Sequence, residues 1–155
     1  MHAIVTRRYT IDLPAHLAEC DANYFRLMKL APALDHDDER ELSLAIADVD
    51  VRVRVRLIER SPYTSLVELA QVSAHHGGFD LRLPRLVIRL YHDARSAEVV
   101  EYQSGRRFAA VYPYPNPQMR QRDEKAQINR FLGEYLSICL SHGADVGRSV
   151  LTAGG

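Results

Sequence analysis

Two cysteines, two lysines and no long apolar run are what this 155-residue chain has little of, and each shortage excludes something. No hydrophobic stretch approaches the ~18 residues that mark a membrane-crossing helix, so no membrane span is expected. The first residues lack the charged-then-apolar order of a secretory leader, and the expected location is the cytoplasm. Cys20 and Cys139 are too few for a disulfide framework, and a cytosolic pair is normally reduced. Both fall on helical patterns, where a cysteine reads as a small buried side chain. An excess of one charge is also missing, since 20 basic and 20 acidic residues cancel. Nucleic-acid-binding domains normally leave a strongly basic footprint, so this balance argues against a nucleic-acid partner, although it permits a local basic patch.

What is present is the make-up of a soluble globular protein, 46% hydrophobic and 26% charged residues; such values exclude general disorder and collagen-like repeats. The length fits one domain, residues 1–155, with an ordered core over about 9–144 and a tail of small residues at 148–155. The neutral sum hides an asymmetry: residues 1–51 hold 5 basic and 10 acidic groups, whereas residues 52–130 hold 14 and 8. Eighteen of the 20 basic residues are arginines, Lys29 and Lys125 being the exceptions. The planar guanidinium fork suits carboxylates and phosphates. A GC-rich genome, which favours arginine codons, is the plainer account of the bias.

Asp12 and Pro14 form a helix start, a capping carboxylate followed by a residue tolerated in the first turn. Leu17, Cys20, Tyr24, Leu27, Met28 and Ala31 then follow helical spacing until Pro32, which predicts a helix over about 13–31. Asp35 to Glu41 is an acidic run that reads as a solvated loop. From Leu42 the period becomes two. Leu42, Leu44 and Ile46 alternate with small or polar residues, and Val49, Val51, Val53, Val55 and Leu57 alternate with Asp50, Arg52, Arg54 and Arg56. Such alternation predicts half-buried antiparallel strands. Further strands are expected over 66–72, 86–92, 97–102 and 107–111, with a glycine loop at 75–78 and a hairpin turn at 93–96. The three prolines of 113–117 exclude a helix or a central strand and predict a stiff crossing. Ile128, Phe131, Leu132, Tyr135, Leu136, Cys139 and Leu140 then form the strongest helical stripe, predicting a helix over about 120–142 that Gly143 ends. The expected fold is α+β: a mostly antiparallel sheet of about six strands, with an N-terminal and a C-terminal helix packed on one face.

Several stretches resemble a known family. They are Arg89 to Ala94 followed by Ala97-Glu-Val99, then Tyr112, Tyr114-Pro-Asn116, Gln121 to Lys125, Gln127-Ile-Asn129, Phe131-Leu132, Cys139-Leu140 and His142-Gly143. Cys20, Asn23, Leu27, Tyr63-Thr64 and Leu66-Val67 also fit. On these residues the chain resembles the YqiB-like family of bacterial domain-of-unknown-function proteins over roughly residues 9–144. It departs most at the acidic loop 35–41 and the glycine loop 75–80. The resemblance implies a bacterial cytosolic protein of unassigned activity, and it supplies no catalytic residues.

The residues themselves offer several constellations. His92 beside Asp93 could act as a general base whose tautomer the carboxylate fixes. However, His92 continues the apolar face of Leu86, Ile88 and Leu90, where a histidine is more often a satisfied core group, and Asp93 suits a turn. Arg122, Asp123, Glu124 and Lys125, with Asn129 one turn on, could line a site or simply charge a helix start. Cys139 and His142 have metal-ligand spacing, but two ligands do not make a zinc site, and His75-His76 is equally unsupported. No metal or cofactor is expected. Arg52, Arg54 and Arg56 share one strand face at a spacing of about 6.6–6.8 Å, which could meet a row of anions or pair with Glu68, Glu98 or Glu101 on other strands.

No complete catalytic set emerges, whereas exposed arginines and tyrosines suit recognition. The leading expectation is a non-enzymatic binding or regulatory module that recognises a protein or a small anionic ligand, with a homodimer left open. Its candidate ligand residues are Tyr91, His92, Asp93, Tyr112, Tyr114, Arg122, Lys125 and Asn129, with Arg52, Arg54 and Arg56 as an anion or partner surface. The alternative is a hydrolase on a phosphorylated or nucleotide substrate that uses His92 and Asp93.

Overall fold

The computed structural model describes residues 12–32, 39–46, 49–75, 82–103 and 122–145. Helix α1 spans Leu13–Leu30; Asp12 caps it by accepting a hydrogen bond from the Ala15 amide at 3.1 Å, and Pro14 stands in its first turn. Its last turn closes with the Ala31 amide on the Leu27 carbonyl, just before Pro32. The strands that follow are β1 (Glu39–Ile46), β2 (Val49–Arg60), β3 (Thr64–His75), β4 (Arg85–Tyr91) and β5 (Ser96–Gln103). Helix α2 spans Arg122–His142, and β6 is the short segment Gly143–Asp145.

The strands lie in the order β5-β4-β3-β2-β1-β6, and each neighbouring pair is antiparallel. Five of them are the strands that the period-two pattern predicts. The expected strand at 107–111 and the proline crossing at 113–117 lie outside the described residues. Gly143 ends α2 as expected and also begins β6, a strand that the sequence pattern does not predict. It pairs with Leu44, so the chain leaves α2 straight into a strand against β1. A side chain there would meet the Cys139 carbonyl at 2.5 Å, so this close approach admits glycine only.

One core lies between the helices and the sheet. It joins Tyr24, Leu27 and Leu30 of α1 and Leu132, Tyr135, Leu136 and Cys139 of α2 to the inward residues of the strands, among them Leu44, Val53, Leu69, Ile88 and Val99. Leu17 departs from its predicted place on the inward stripe and is exposed. Register shifts mark bulges at Val72, Ile58 and Val100, each an extra residue opposite its partner strand. That placement explains why apolar Val72 and Ile58 stand exposed. Among the described residues no helix is long and apolar enough to cross a membrane.

Candidate functional site

Because β-strand side chains alternate, burying Val51, Val53 and Val55 sends Arg52, Arg54 and Arg56 to the opposite face of the sheet. There Arg54 and Arg56 meet Glu68 of β3, which is only 4% exposed. Arg56 Nη2 lies 3.0 Å and Arg54 Nη2 3.6 Å from Glu68 Oε1, while Arg85 of β4 donates its Nε hydrogen to Oε2. Arg85 also reaches Glu101 at 3.7 Å, and Arg52 reaches Glu41 at 3.8 Å. The cross-strand pairing that the sequence suggests is therefore present through Glu68, with Glu41 as a partner that it did not name. Glu98 and Glu101 do not serve Arg52, Arg54 or Arg56. Burial alone would raise the Glu68 carboxyl, but the Arg85 hydrogen bond and the charges of Arg56, Arg85 and Arg54 outweigh it and hold it below the ordinary value.

Three guanidiniums thus share one buried carboxylate. The Arg54, Arg56 and Arg85 side chains keep 30%, 44% and 34% of their surface exposed. Arg52 Nε and Arg54 Nε are buried donors with no hydrogen-bond partner among the described residues. Glu68 Oε1 is likewise buried without a hydrogen-bond partner, so charge holds this cluster together, and only the exposed parts of the arginine side chains can meet a further anion.

A second polar cluster closes the β5 edge. Glu98 accepts from the Tyr91 hydroxyl at 2.8 Å and from Lys125 Nζ at 2.8 Å. Burial would raise the Glu98 carboxyl, yet the bonds from Lys125 and Tyr91 pull it below its ordinary value. The Tyr91 hydroxyl moves up, through burial and the adjacent Glu98 charge. One residue on, the edge amide of Val99 donates to Asn129 Oδ1 at 2.9 Å, and Asn129 Nδ2 returns to the Lys125 carbonyl at 2.8 Å. Tyr91, Lys125 and Asn129 are therefore brought together, with Glu98 as the hub that sequence reasoning had placed elsewhere.

His92 and Asp93 do not join them. Asp93 turns its carboxylate to the Ala94 amide (2.9 Å) in the hairpin turn, where Arg95 takes a left-handed conformation with φ 55°. Both ring nitrogens of His92 are engaged instead by residues from distant segments. Tyr24 Oη lies 3.0 Å from Nδ1, and Ser65 Oγ lies 2.8 Å from Nε2. The His92–Asp93 pair thus loses the orienting contact that general-base chemistry required of it. Ser65 and Tyr24 carry no local sequence signal for this role; Arg85 could have been found by counting strand parity from Leu86.

Tyr112, Tyr114 and the side chain of Arg122 lie outside the described residues. Cys139 is buried while His142 is exposed, so the two do not face a common point. Among the described residues no group of three or more His, Cys, Asp or Glu side chains could hold a metal. Cys20 contacts His16 Nε2 at 3.8 Å; burial and the Glu98 charge push its thiol up to about 11. Burial pushes the Cys139 thiol up to about 12.

Comparison with known proteins agrees with the resemblance read from the sequence. A family model described as "Protein of unknown function (DUF1249)" matches residues 26–145. The "Uncharacterized protein YqiB" of Escherichia coli strain K12 is 41% identical over 138 residues, covering 89% of this chain and 95% of its own. The proteins of the same name from Escherichia coli O6:H1 and O157:H7 match to the same extent. No solved structure matches the chain.

Proposed function

The chain belongs to this DUF1249 family, and we propose that it is a binding module whose charged sheet face recognises an anionic group, presented by a protein partner or by a small ligand. The observation that supports this reading is the sharing of one buried carboxylate, Glu68, by Arg54, Arg56 and Arg85. Glu68 fixes the guanidiniums in place, so little side-chain entropy remains to be lost when an anion arrives. Their exposed edges then offer planar donor forks in the geometry that carboxylates and phosphates accept bidentately. Ser43 of the same face spends its hydroxyl on Asp50 at 2.8 Å, and Glu41 and Glu68 are ion-paired with arginines, which supports recognition over catalysis there. Hydrolysis by His92 and Asp93 has less support, because Asp93 serves the turn. The cytoplasm remains the compartment of this reading, in keeping with the two free, buried cysteines.

Calorimetric titration of citrate, inorganic phosphate and a glutamate-rich peptide against the wild type and Arg54→Gln tests the proposal. At least one anion should bind, and the variant should weaken it about 10- to 100-fold, the loss of a charge-assisted hydrogen bond of roughly 1.5–3 kcal/mol. Rising salt should weaken binding in parallel. Absence of binding for all three, or equal affinity in both proteins, would remove the face from consideration.

A further inference from the structure

The most specific side-chain geometry in the molecule lies on the other side of the sheet, and it owes nothing to the arginines. Ser65, the second residue of β3, faces the core side at the strand's start, where it pairs with Leu90. His92 follows the last residue of β4, and its backbone amide donates to the Tyr63 carbonyl at 2.8 Å. That bond anchors the imidazole beside Ser65, with Oγ 2.8 Å from Nε2. From α1, Tyr24 reaches Nδ1 at 3.0 Å, and its ring meets the imidazole edge to face, with centroids 5.8 Å apart. A hydroxyl on one ring nitrogen and a third group orienting the other is the arrangement by which an otherwise weak serine becomes a nucleophile.

We propose that Ser65 and His92 form a reactive pair for acyl transfer, with Tyr24 as a positioning residue. In the tautomer that carries its hydrogen on Nδ1, His92 donates to Tyr24 Oη, and Nε2 is free to accept the Ser65 proton. As Ser65 Oγ attacks the carbonyl carbon of an ester, its proton passes to Nε2 and the carbonyl π pair moves to oxygen. Collapse of that adduct expels the alkoxide, which takes the proton back from Nε2. Water then repeats the sequence on the acyl-serine, releasing a carboxylic acid and restoring the hydroxyl. The surroundings indicate the substrate class. Phe25 stands 5.5 Å from Tyr24 between ring centroids and is 55% exposed, and Tyr63, next to the anchor of His92, is 68% exposed. Exposed aromatic rings beside the pair, in which Ser65 is 8% exposed, suit a small ester with an apolar acyl chain.

The test is labelling with a fluorophosphonate probe, read by intact and peptide mass spectrometry. Wild type should take up one probe per chain, on Ser65, and Ser65→Ala should take up none while still folding, as its circular dichroism shows. His92→Gln should slow labelling by about 100-fold or more, the usual contribution of a general base. Tyr24→Phe, which keeps the packed ring, should slow it and alter the pH–rate profile, whereas Ile138→Ala, at an exposed position of α2, should leave both unchanged. p-Nitrophenyl butyrate should turn over faster than the acetate. No labelling of the wild type, labelling at another residue, or an unchanged rate in His92→Gln would overturn the assignment.

Discussion

Asn23 and Asn129, 106 positions apart, are both fully buried, and the Asn23 side-chain amide donates to the Asn129 backbone carbonyl at 2.9 Å. Asn129 in turn holds the edge amide of β5 through Val99. Two asparagines thus tie α1, α2 and the sheet edge together, and they satisfy an edge donor that would otherwise invite pairing with another chain.

Removing either should be costly, and the two should differ. Asn129→Ala orphans the Val99 amide and loses the bond to the Lys125 carbonyl, whereas Asn23→Ala removes one donor from the Asn129 carbonyl. Each should destabilise the fold by about 1–3 kcal/mol, with Asn129→Ala the larger, as measured by urea unfolding. A loss below ~0.5 kcal/mol for Asn129→Ala would show the edge contact to be incidental.

Tyr135 should behave in the opposite sense. Its ring is in the core, only 4% exposed, yet its hydroxyl has no hydrogen-bond partner among the described residues. Burial accordingly drives its ionisation well above the ordinary tyrosine range. Tyr135→Phe removes the unpaired hydroxyl and keeps the ring, so stability should hold or rise by roughly 1 kcal/mol. A clear drop in thermal midpoint would reveal a partner for that oxygen.

Glu68 predicts an acid-sensitive component of stability. Its folded carboxyl titrates below the ordinary 4.5, so near that pH the unfolded chain binds more protons than the native one. The stabilisation is fully present well above 4.5 and is lost as pH falls through the lower folded value. Urea midpoints measured from pH 7 to pH 3 should decline over the acid end in the wild type. In Glu68→Gln the midpoint at pH 7 should be lower, because three arginines lose their common carboxylate, and the acid decline should be shallower. Parallel declines in both proteins would exclude Glu68 as its source.

The two thiols should be inert until the protein opens. Burial raises Cys20 to about 11 and Cys139 to about 12, and the thiolate is the reactive form. At pH 8 a thiol-reactive disulfide should modify neither in the native state and both in concentrated urea. Rapid native modification of Cys20 would mean that α1 lifts from the sheet far more readily than its packing suggests.

The local pattern in the sequence was enough to define both helices and five strands, but not β6 or the start of β1 at Glu39. Period-two alternation in Val49–Leu57 determined both the strand and the face that its arginines occupy, because successive side chains must point to opposite sides of a pleated backbone. The 3.6-residue stripe through Leu132, Tyr135 and Leu136 determined the inward face of α2 in the same way, and Asp12 with Pro14 determined where α1 starts. Only the tertiary structure decided the partners. Glu68 gathers arginines from β2 and β4 because strand order and register bring them together, and neither follows from local periodicity. Ser65, His92 and Tyr24 meet across 68 residues of chain because a hairpin turn, a strand start and a helix pack at one end of the sheet. Asp93, adjacent to His92 in the chain, lost that role to them because the backbone at the turn sends the two neighbouring side chains to different surroundings.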